Sequence, residues 1–266
     1  MTTPDVMSDH SSTTDHSSTT DHSLSDSTAA ILDGLEGARL NVGLMVVSLD
    51  GAIAIQGSVG RLTGEADQRL MAALRERAAA VIVGARTVTV QGYADLLHAD
   101  ARRRRRRAGL PEQPQLAIIC RDPDRLCNAA PLVGGELSVA LLCAQRGALR
   151  PSERIQLDVL GAGASGLDLR RAADLLRARH PDGLLLWEGG PTILTMALAQ
   201  GVLEQLVLVI SPRLVGGGSP RLLVGERLFD APVVLLACAT ADSFVFLRYG
   251  LLRGAEAGSA QDHAGG

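Results

Sequence analysis

The sequence predicts an α/β fold: a central, mostly parallel sheet with helices on both faces and an antiparallel pair of strands at its C-terminal edge. Three observations carry the prediction. Short, continuous apolar runs alternate with segments of helical periodicity, as in strands buried on both faces and joined by crossover helices. Two of these runs hand over to a helix through bare glycine turns, in "VIVGARTV" (81–88) and "LLLWEGGPTIL" (184–194). Near the end, residues 233–239 and "SFVFLRY" (243–249) read as two strands with little between them, a hairpin.

The elements follow in order. Residues 1–30 are a different material. From Asp9, "DHSSTTDHSSTTDHS" repeats a polar six-residue unit. It offers too little apolar surface to offset its ordering entropy, so a disordered tail is expected. His10, His16 and His22 lie in that tail without a preorganised scaffold, and no metal site is assigned to them. One domain is expected over residues 31–253. Within it, 42–49 is a strand and 66–77 a helix with Leu70, Ala73 and Leu74 on one side. Strands follow at 81–83, 116–120, 138–143 and 155–160, then a helix at 168–179. The run 184–187 is a buried strand. A helix starts at Pro191, carries Ile193, Leu194, Met196, Ala197 and Leu198 at roughly helical spacing, and stops at Gly201. Residues 206–210 form the next strand, and 254–266 a second loose tail.

Composition excludes several functions. Of 266 residues, 46% are hydrophobic but only 2% aromatic, so Leu, Val, Ile and Ala must build the core. Stacking platforms for single-stranded nucleic acid are absent. The net charge of −3 argues against a general polyanion binder. No apolar run approaches the ~20 residues of a membrane span. The N-terminus lacks the basic and apolar regions of a secretory signal. Cys120, Cys127, Cys143 and Cys238 show no C-x-x-C spacing, which fits reduced thiols in a cytoplasmic protein. The six arginines of "HADARRRRRRAGLPEQPQ" (98–115) have no interleaved aromatics and end in turn residues. They read as a solvated loop, or as a loop whose inner arginine reaches a substrate phosphate, with no nucleic-acid role.

The glycine junctions carry the chemistry. Gly189 and Gly190 leave the backbone bare, and Pro191 suits a first helical turn. A strand, a glycine turn and a free helix N-terminus make an anion site, because unpaired N–H groups and the helix dipole favour phosphate. At the other junction Gly84 follows the strand, Arg86 offers a fixed cation and Thr87 a hydroxyl. Two such junctions on one sheet could hold the two ends of a dinucleotide, although neither is a G-x-G-x-x-G fingerprint. Either could also be an ordinary tight turn. A third cluster, "ISPRLVGGG" (210–218), follows another strand.

Five segments then occur in order: "VVSLDGAIA" (46–54), "RLTGEADQRLMAALR" (61–75), "VIVGARTVTVQGY" (81–93), "LLLWEGGPTIL" (184–194) and "LEQLVLVISPRLVGGG" (203–218). Together they resemble the reductase domain of bacterial riboflavin biosynthesis, the C-terminal domain of RibD, in a stand-alone form. The resemblance implies a dihydrofolate reductase-like fold, NADPH as cofactor, a homodimer, and a small-molecule substrate, 5-amino-6-(5-phosphoribosylamino)uracil, whose ribose is reduced to a ribityl chain. It further implies that Gly190, Pro191 and Thr192 line the cofactor pyrophosphate, that Gly189 makes the turn, and that Thr87 binds cofactor. Glu188 and Arg75 match residues that contact substrate. Asp50, in the S-L-D-G motif, either orients groups near the nicotinamide or holds its own turn through an Asx-type bond. Asp67 either complements the helix dipole or, as the pterin-binding acid of dihydrofolate reductases does, protonates a ring nitrogen.

The chain departs from the family pattern at three places. Leu44 stands where many members carry Lys or Asn, Gln91 where many carry Asp, and Val59 near a substrate-contacting serine, with Ser58 adjacent. A deaminase partner domain, marked by H-x-E and P-C-x-x-C, does not occur in the sequence. Two other readings therefore stand beside the first: a pterin or dihydrofolate-type reductase of the same fold, and a non-catalytic NADPH-binding module.

Overall fold

The computed structural model describes residues 17–160, 162–163, 166–225 and 230–252. Its elements run α1 (Ser17–Leu32), β1 (Asn41–Ser48), α2 (Glu65–Arg77), β2 (Ala78–Gly84), α3 (Ala85–Gln91), α4 (Ala99–Arg107) and β3 (Gln115–Cys120). A 3₁₀ turn (Pro123–Leu126) and the short α5 (Ala130–Val133) precede β4 (Val139–Cys143) and β5 (Ile155–Val159). A small antiparallel pair, β6 (Ala162–Gly163) and β7 (Gly166–Leu167), leads to α6 (Leu169–Arg179), β8 (Leu184–Trp187), α7 (Pro191–Ala199) and β9 (Gln205–Ser211). The hairpin β10 (Val233–Ala241) and β11 (Phe244–Leu251) closes the chain. The strands read from the sequence are all present, within a few residues of their expected ends.

Nine strands form one sheet in the order β10-β11-β9-β1-β8-β2-β3-β4-β5. Strands β9 through β5 are parallel, and β11 and β10 add the antiparallel edge. The chain leaves β1 through α2 and enters β2, passing over β8. It leaves β8 through α7 and returns to β9, passing over β1. Two right-handed crossovers in opposite directions place their helices on opposite faces. Burial agrees: Leu70 and Leu74 of α2 join one core, while Ile193, Leu194 and Ala197 of α7 join the other with Leu169 and Leu176 of α6. The carboxyl ends of β1 and β8 thus flank a topological switch point, where open α/β sheets bind ligands.

Two expectations need correction. The tail expected to be disordered through residue 30 becomes helical at Ser17, because Ile31, Leu32 and the following Leu35 are buried in the α2-side core beside the β10–β11 hairpin. Residues 1–16 and 254–266, the remainder of the two expected tails, lie outside the described residues. The arginine run is helix α4, not a loop. Arg104 forks onto Glu76 at 2.6 and 2.7 Å, Arg106 meets Glu112 and Arg103 meets Asp100. Arg105 is buried and donates to the carbonyls of Pro111, Glu76 and Ala78. Arg102 likewise pairs with Glu112 and Asp95, so five of the six guanidiniums are spent within the fold, and the inner one reaches backbone, not a site for phosphate. Among the described residues no helix is long and apolar enough to cross a membrane.

One sheet face lacks a helix over its antiparallel edge. Register places Leu208, Leu247 and Cys238 in one row, and Ile210, Val245 and Thr240 in the next. Tyr249 and Leu235 continue the face. The opposite face of these strands carries Phe244 and Phe246, packed in the core that α1 joins. On the first face Leu208, Ile210, Leu247 and Tyr249 are only half-buried, and Leu235 is 51% exposed.

Candidate active site

The site assembles at the carboxyl ends of β1, β8 and β2. Strand β8 ends at Trp187, whose indole N–H donates to Asn41 Oδ1 at 3.1 Å. The Glu188 N–H then donates to the carbonyl of Ile82, which ties the turn to β2. A Cβ on Gly189 would sit 2.6 Å from Cβ and Cγ2 of Ile193, so only glycine lets the backbone turn this close to α7. Gly190 is the opposite case. It caps α7 with φ −62° and ψ 179°, no side chain caps the helix, and nothing lies within 4 Å of where its Cβ would be. Pro191 fills the first helical position and Thr192 is exposed. The orphan N–H groups of this first turn therefore face open space with the positive end of the helix behind them.

The second junction touches the first. Gly84 caps α3, and its Cβ position lies 3.4 Å from Ile193 Cγ1. Thr87 is half-buried. Arg86 is exposed, and its guanidinium makes no hydrogen bond or ion pair among the described residues. The two glycine turns are side by side, as a ligand spanning both requires.

Beneath them lies an ion pair. Arg75 Nε donates to Glu188 Oε1 at 2.8 Å and Nη2 to Oε2 at 2.6 Å, a bidentate fork with side chains only 14% and 7% exposed. The Arg75 guanidinium also lies over the ring of Tyr93, 5.6 Å from its centroid. Burial works against the Arg75 charge, but Glu188 outweighs it and raises the pKa further. Burial, then the Glu188 charge, push the Tyr93 hydroxyl up to about 12. Tyr93 escapes sequence reasoning, because its role depends on a ring meeting a cation from another element.

Asp50 is held by protein donors. Its carboxylate accepts the Ser48 hydroxyl at 2.6 Å and the N–H groups of Val215 and Gly216 at 3.0 and 2.8 Å. Arg221 binds its carbonyl and lies 3.4 Å from Oδ2. The Ser48 hydroxyl, then the two backbone N–H groups, hold its pKa well below the usual carboxylate range. The loop 212–225 is thereby laid across the site: Leu49 N–H donates to Arg213 O, Ile53 N–H to Pro220 O, and Val224 N–H to Thr195 Oγ1 of α7. Of the two roles open to Asp50, this geometry is that of a clamp between turns, reaching past its own turn to residues 165 and 166 positions away.

Asp67 is buried, 3% exposed, and turns back on its own helix to accept the Gly64 N–H. Burial raises its pKa above the ordinary 3.8, opposed by the N–H groups of Gly64, Asp67 and Gln68. The carboxylate is the N3 member of a helix cap, with Phe244 packed against Gly64. A raised folded-state pKa means that Asp67 favours folding below the unfolded pKa and loses that contribution as pH rises through the folded one. Asp67→Asn keeps an acceptor for Gly64, so thermal melts from about pH 3 to about pH 7 should show the variant gaining on wild type as pH rises. Parallel pH profiles would contradict the assignment.

The remaining expected residues are dispersed. Ser58 is exposed on a tight turn closed by the Ile55 and Ser58 backbones, with Gln56 and Gly57 at positive φ. No contact joins it to Arg75 or Glu188. Leu44 is buried in β1, Val59 is exposed, and the Gln91 side chain lies outside the described residues.

Comparison with known proteins places this geometry. A reductase of Methanothermobacter thermautotrophicus, named 2,5-diamino-6-ribosylamino-4(3H)-pyrimidinone 5′-phosphate reductase, is 28% identical over 195 residues, covering 69% of this chain and 82% of that protein. A pyrimidine reductase-like protein from Corynebacterium diphtheriae superposes with a TM-score of 0.67 at 23% identity, over 85% of this chain and 95% of its own. RibD of Acinetobacter baumannii superposes with a TM-score of 0.64 at 18% identity, over 84% of this chain and 60% of its own. At these identities the structural likeness is one of fold, the dihydrofolate reductase-like α/β fold expected from the sequence. The family model described as "RibD C-terminal domain" matches residues 43–245, a span that holds every element of the site. The chain belongs to the RibD C-terminal domain family.

Proposed function

We propose that this protein is an NADPH-dependent reductase of riboflavin biosynthesis that reduces the ribosyl group of 5-amino-6-(5-phosphoribosylamino)uracil to ribityl. The observation that carries this reading is the bare N-terminus of α7, open at Gly190 and in contact through Ile193 with the second glycine junction. The residues present fit the cofactor: a phosphate needs donors and room, and both are there. In this reading Gly189 makes the turn, and Gly190, Pro191 and Thr192 receive the pyrophosphate. Gly84, Arg86 and Thr87 flank it. When bound, the nicotinamide supplies the hydride. Arg75 and Glu188 form the floor of the site, neutral as a pair, and fix the turn that carries Gly190. Asp50 keeps loop 212–225 across the switch point, where it limits the access of water. The name of the archaeal relative supports a phosphoribosylated pyrimidine as substrate class.

The test is NADPH oxidation by the purified protein, with the phosphoribosylaminouracil and dihydrofolate offered separately. Turnover of the pyrimidine alone is expected. Turnover of dihydrofolate alone would move the assignment to a pterin and return Asp67 to the chemistry, and Asp67→Asn would then abolish it. Cofactor binding without turnover of either would leave a binding module.

The same proposal includes a cytoplasmic homodimer. The four cysteines are free. The uncovered apolar face of β9, β11 and β10 is suited to a second copy, since apolar rows of this kind seldom stay wet on a monomer. Leu247→Glu is expected to convert a dimer to a monomer in sedimentation velocity, weakening association by at least ~100-fold through a charge buried in an apolar interface. A monomeric wild type would refute the dimer and leave the catalytic reading untouched.

A further inference from the structure

Two buried polar atoms without a partner lie side by side at the amino edge of the sheet, on its α1 side and away from the candidate active site. Among the described residues, the buried side-chain atoms that find no hydrogen-bond partner are Arg77 Nε, Arg179 Nη1, Gln205 Oε1 and Arg248 Nε. Arg248 is the extreme case. It is 8% exposed, and its guanidinium makes no hydrogen bond or ion pair among the described residues. The register pairs Arg248 with Val207 and Gly250 with Gln205, so Arg248 and Gln205 are diagonal neighbours on one face of β11 and β9. Such neighbours are ~7–8 Å apart, within reach of long side chains. Their surroundings are apolar: Val207, beside Leu44 of β1, shares a core with Ile31 and Leu32 of α1 and with Leu35. A third open atom, Arg77 Nε, belongs to a residue lining a cavity of about 290 Å³ at the end of α1, together with Leu32, Asp33 and Glu36.

A buried donor and a buried acceptor left open on adjacent strands call for an occupant. Water could bond to both, but it would not answer the charge. Arginine stays protonated, and an unpaired cation held out of water costs stability. Burial lowers the pKa of Arg248, and the charge of Asp33 opposes this only in part, since Asp33 is exposed and forms no ion pair with it. Glu36, on the cavity wall, is paired with Arg77. The occupant must therefore bring negative charge to Arg248 and a proton to Gln205 Oε1. Inorganic phosphate at neutral pH has both, because it keeps one P–OH donor beside its anionic oxygens. Sulfate has only acceptors, and a phosphate monoester has largely lost its last proton. The cavity at Asp33, the acid whose charge reaches Arg248, supplies the way in. We infer that Arg248 and Gln205 form a second, non-catalytic site, for inorganic phosphate, which closes the end of α1 onto the sheet. It is separate from the N-terminus of α7 and stands independently of the cofactor reading.

The experiment is thermal unfolding of the full chain at neutral pH, in phosphate and in chloride at equal ionic strength. Saturating phosphate is expected to raise the wild-type melting temperature by at least ~4 °C. Sulfate and ribose 5-phosphate should each need at least ~10-fold higher concentration for the same rise, the worth of one hydrogen bond to Gln205 Oε1. Arg248→Met should melt at or above wild type in chloride, because an apolar chain replaces an uncompensated charge, and should no longer respond to phosphate. Should that variant not fold, Arg248→Gln removes the same charge with a polar chain and should lose the response too. Gly190→Asp should keep it in full, since phosphate at the α7 terminus is not its source. Equal melting of wild type in the two buffers would overturn the inference. A rise that survives Arg248→Met or Arg248→Gln would do the same, because a general salting effect of phosphate acts on any surface. So would a rise that vanishes in Gly190→Asp. Equal potency of sulfate would overturn the role given to Gln205.

Discussion

Gly190→Asp is expected to abolish NADPH binding while leaving the protein as stable as wild type. The usual objection to a glycine substitution, that it breaks the fold, does not apply. The backbone at Gly190 has φ −62°, which any residue adopts, and the added Cβ meets nothing within 4 Å. Aspartate is also a preferred N-cap, and its carboxylate would accept the first-turn N–H groups of α7, a gain of only about a few tenths of a kcal/mol over glycine. Those are the donors assigned to the pyrophosphate, so the variant fills the site with a competing anion. We expect affinity to fall by at least ~1,000-fold, from lost donors and like-charge repulsion together. Thermal melts and NADPH titration check the two halves separately. Gly189→Ala should show the reverse pattern, because its methyl group enters the space of Ile193 and costs about 1–3 kcal/mol of stability. Unchanged NADPH affinity in Gly190→Asp would sink the site assignment.

Glu188→Leu should be the most destabilising single change in the site. It leaves the Arg75 guanidinium, 14% exposed, without its carboxylate partner. Removing one member of a buried pair costs about 3–5 kcal/mol, because a charge remains out of water. For a domain of this size the melting temperature should fall by about 2–4 °C for each kcal/mol. The variant with both Arg75→Met and Glu188→Leu should recover most of that stability, since two apolar chains replace two charges in a site already walled by Tyr93. It should remain inactive if the pair orients the cofactor turn or substrate. Full recovery of activity with stability would reduce the pair to packing alone. If Glu188→Leu melts like wild type, the fork is not buried in solution.

The strands and the two glycine junctions are legible in the sequence because they depend on local composition. Apolar runs such as 184–187 need no knowledge of the rest of the chain to be read as buried. What the sequence hides is what depends on distant partners. Helix α4 has no apolar stripe; it is held by Glu76 and Glu112 and by carbonyls at the end of α2. Helix α1 is largely Ser, Thr and Asp, and only its last turn supplies burial. The S-L-D-G motif marks Asp50 as special, but its partners Val215 and Gly216 lie far along the chain. Tyr93 closes the 81–93 segment, but nothing local marks its role, and only the fold brings it beneath Arg75.

The arginine run has a consequence for how this chain tolerates changes in length. Arg105 alone occupies the buried cage of carbonyls, yet both its neighbours in sequence are arginines too. Insertion or loss of one arginine codon, the commonest accident in a repetitive tract, turns most helices out of phase and exposes their buried face. Here every register delivers a guanidinium to the cage. The mismatch passes to the turn at Gly109, whose φ of +73° and empty surroundings give it room to adjust. Homologous chains with five or seven arginines at this point would keep the α2–β2 junction intact, so that the tract can drift in length while the end of α2 that carries Arg75 stays where it is.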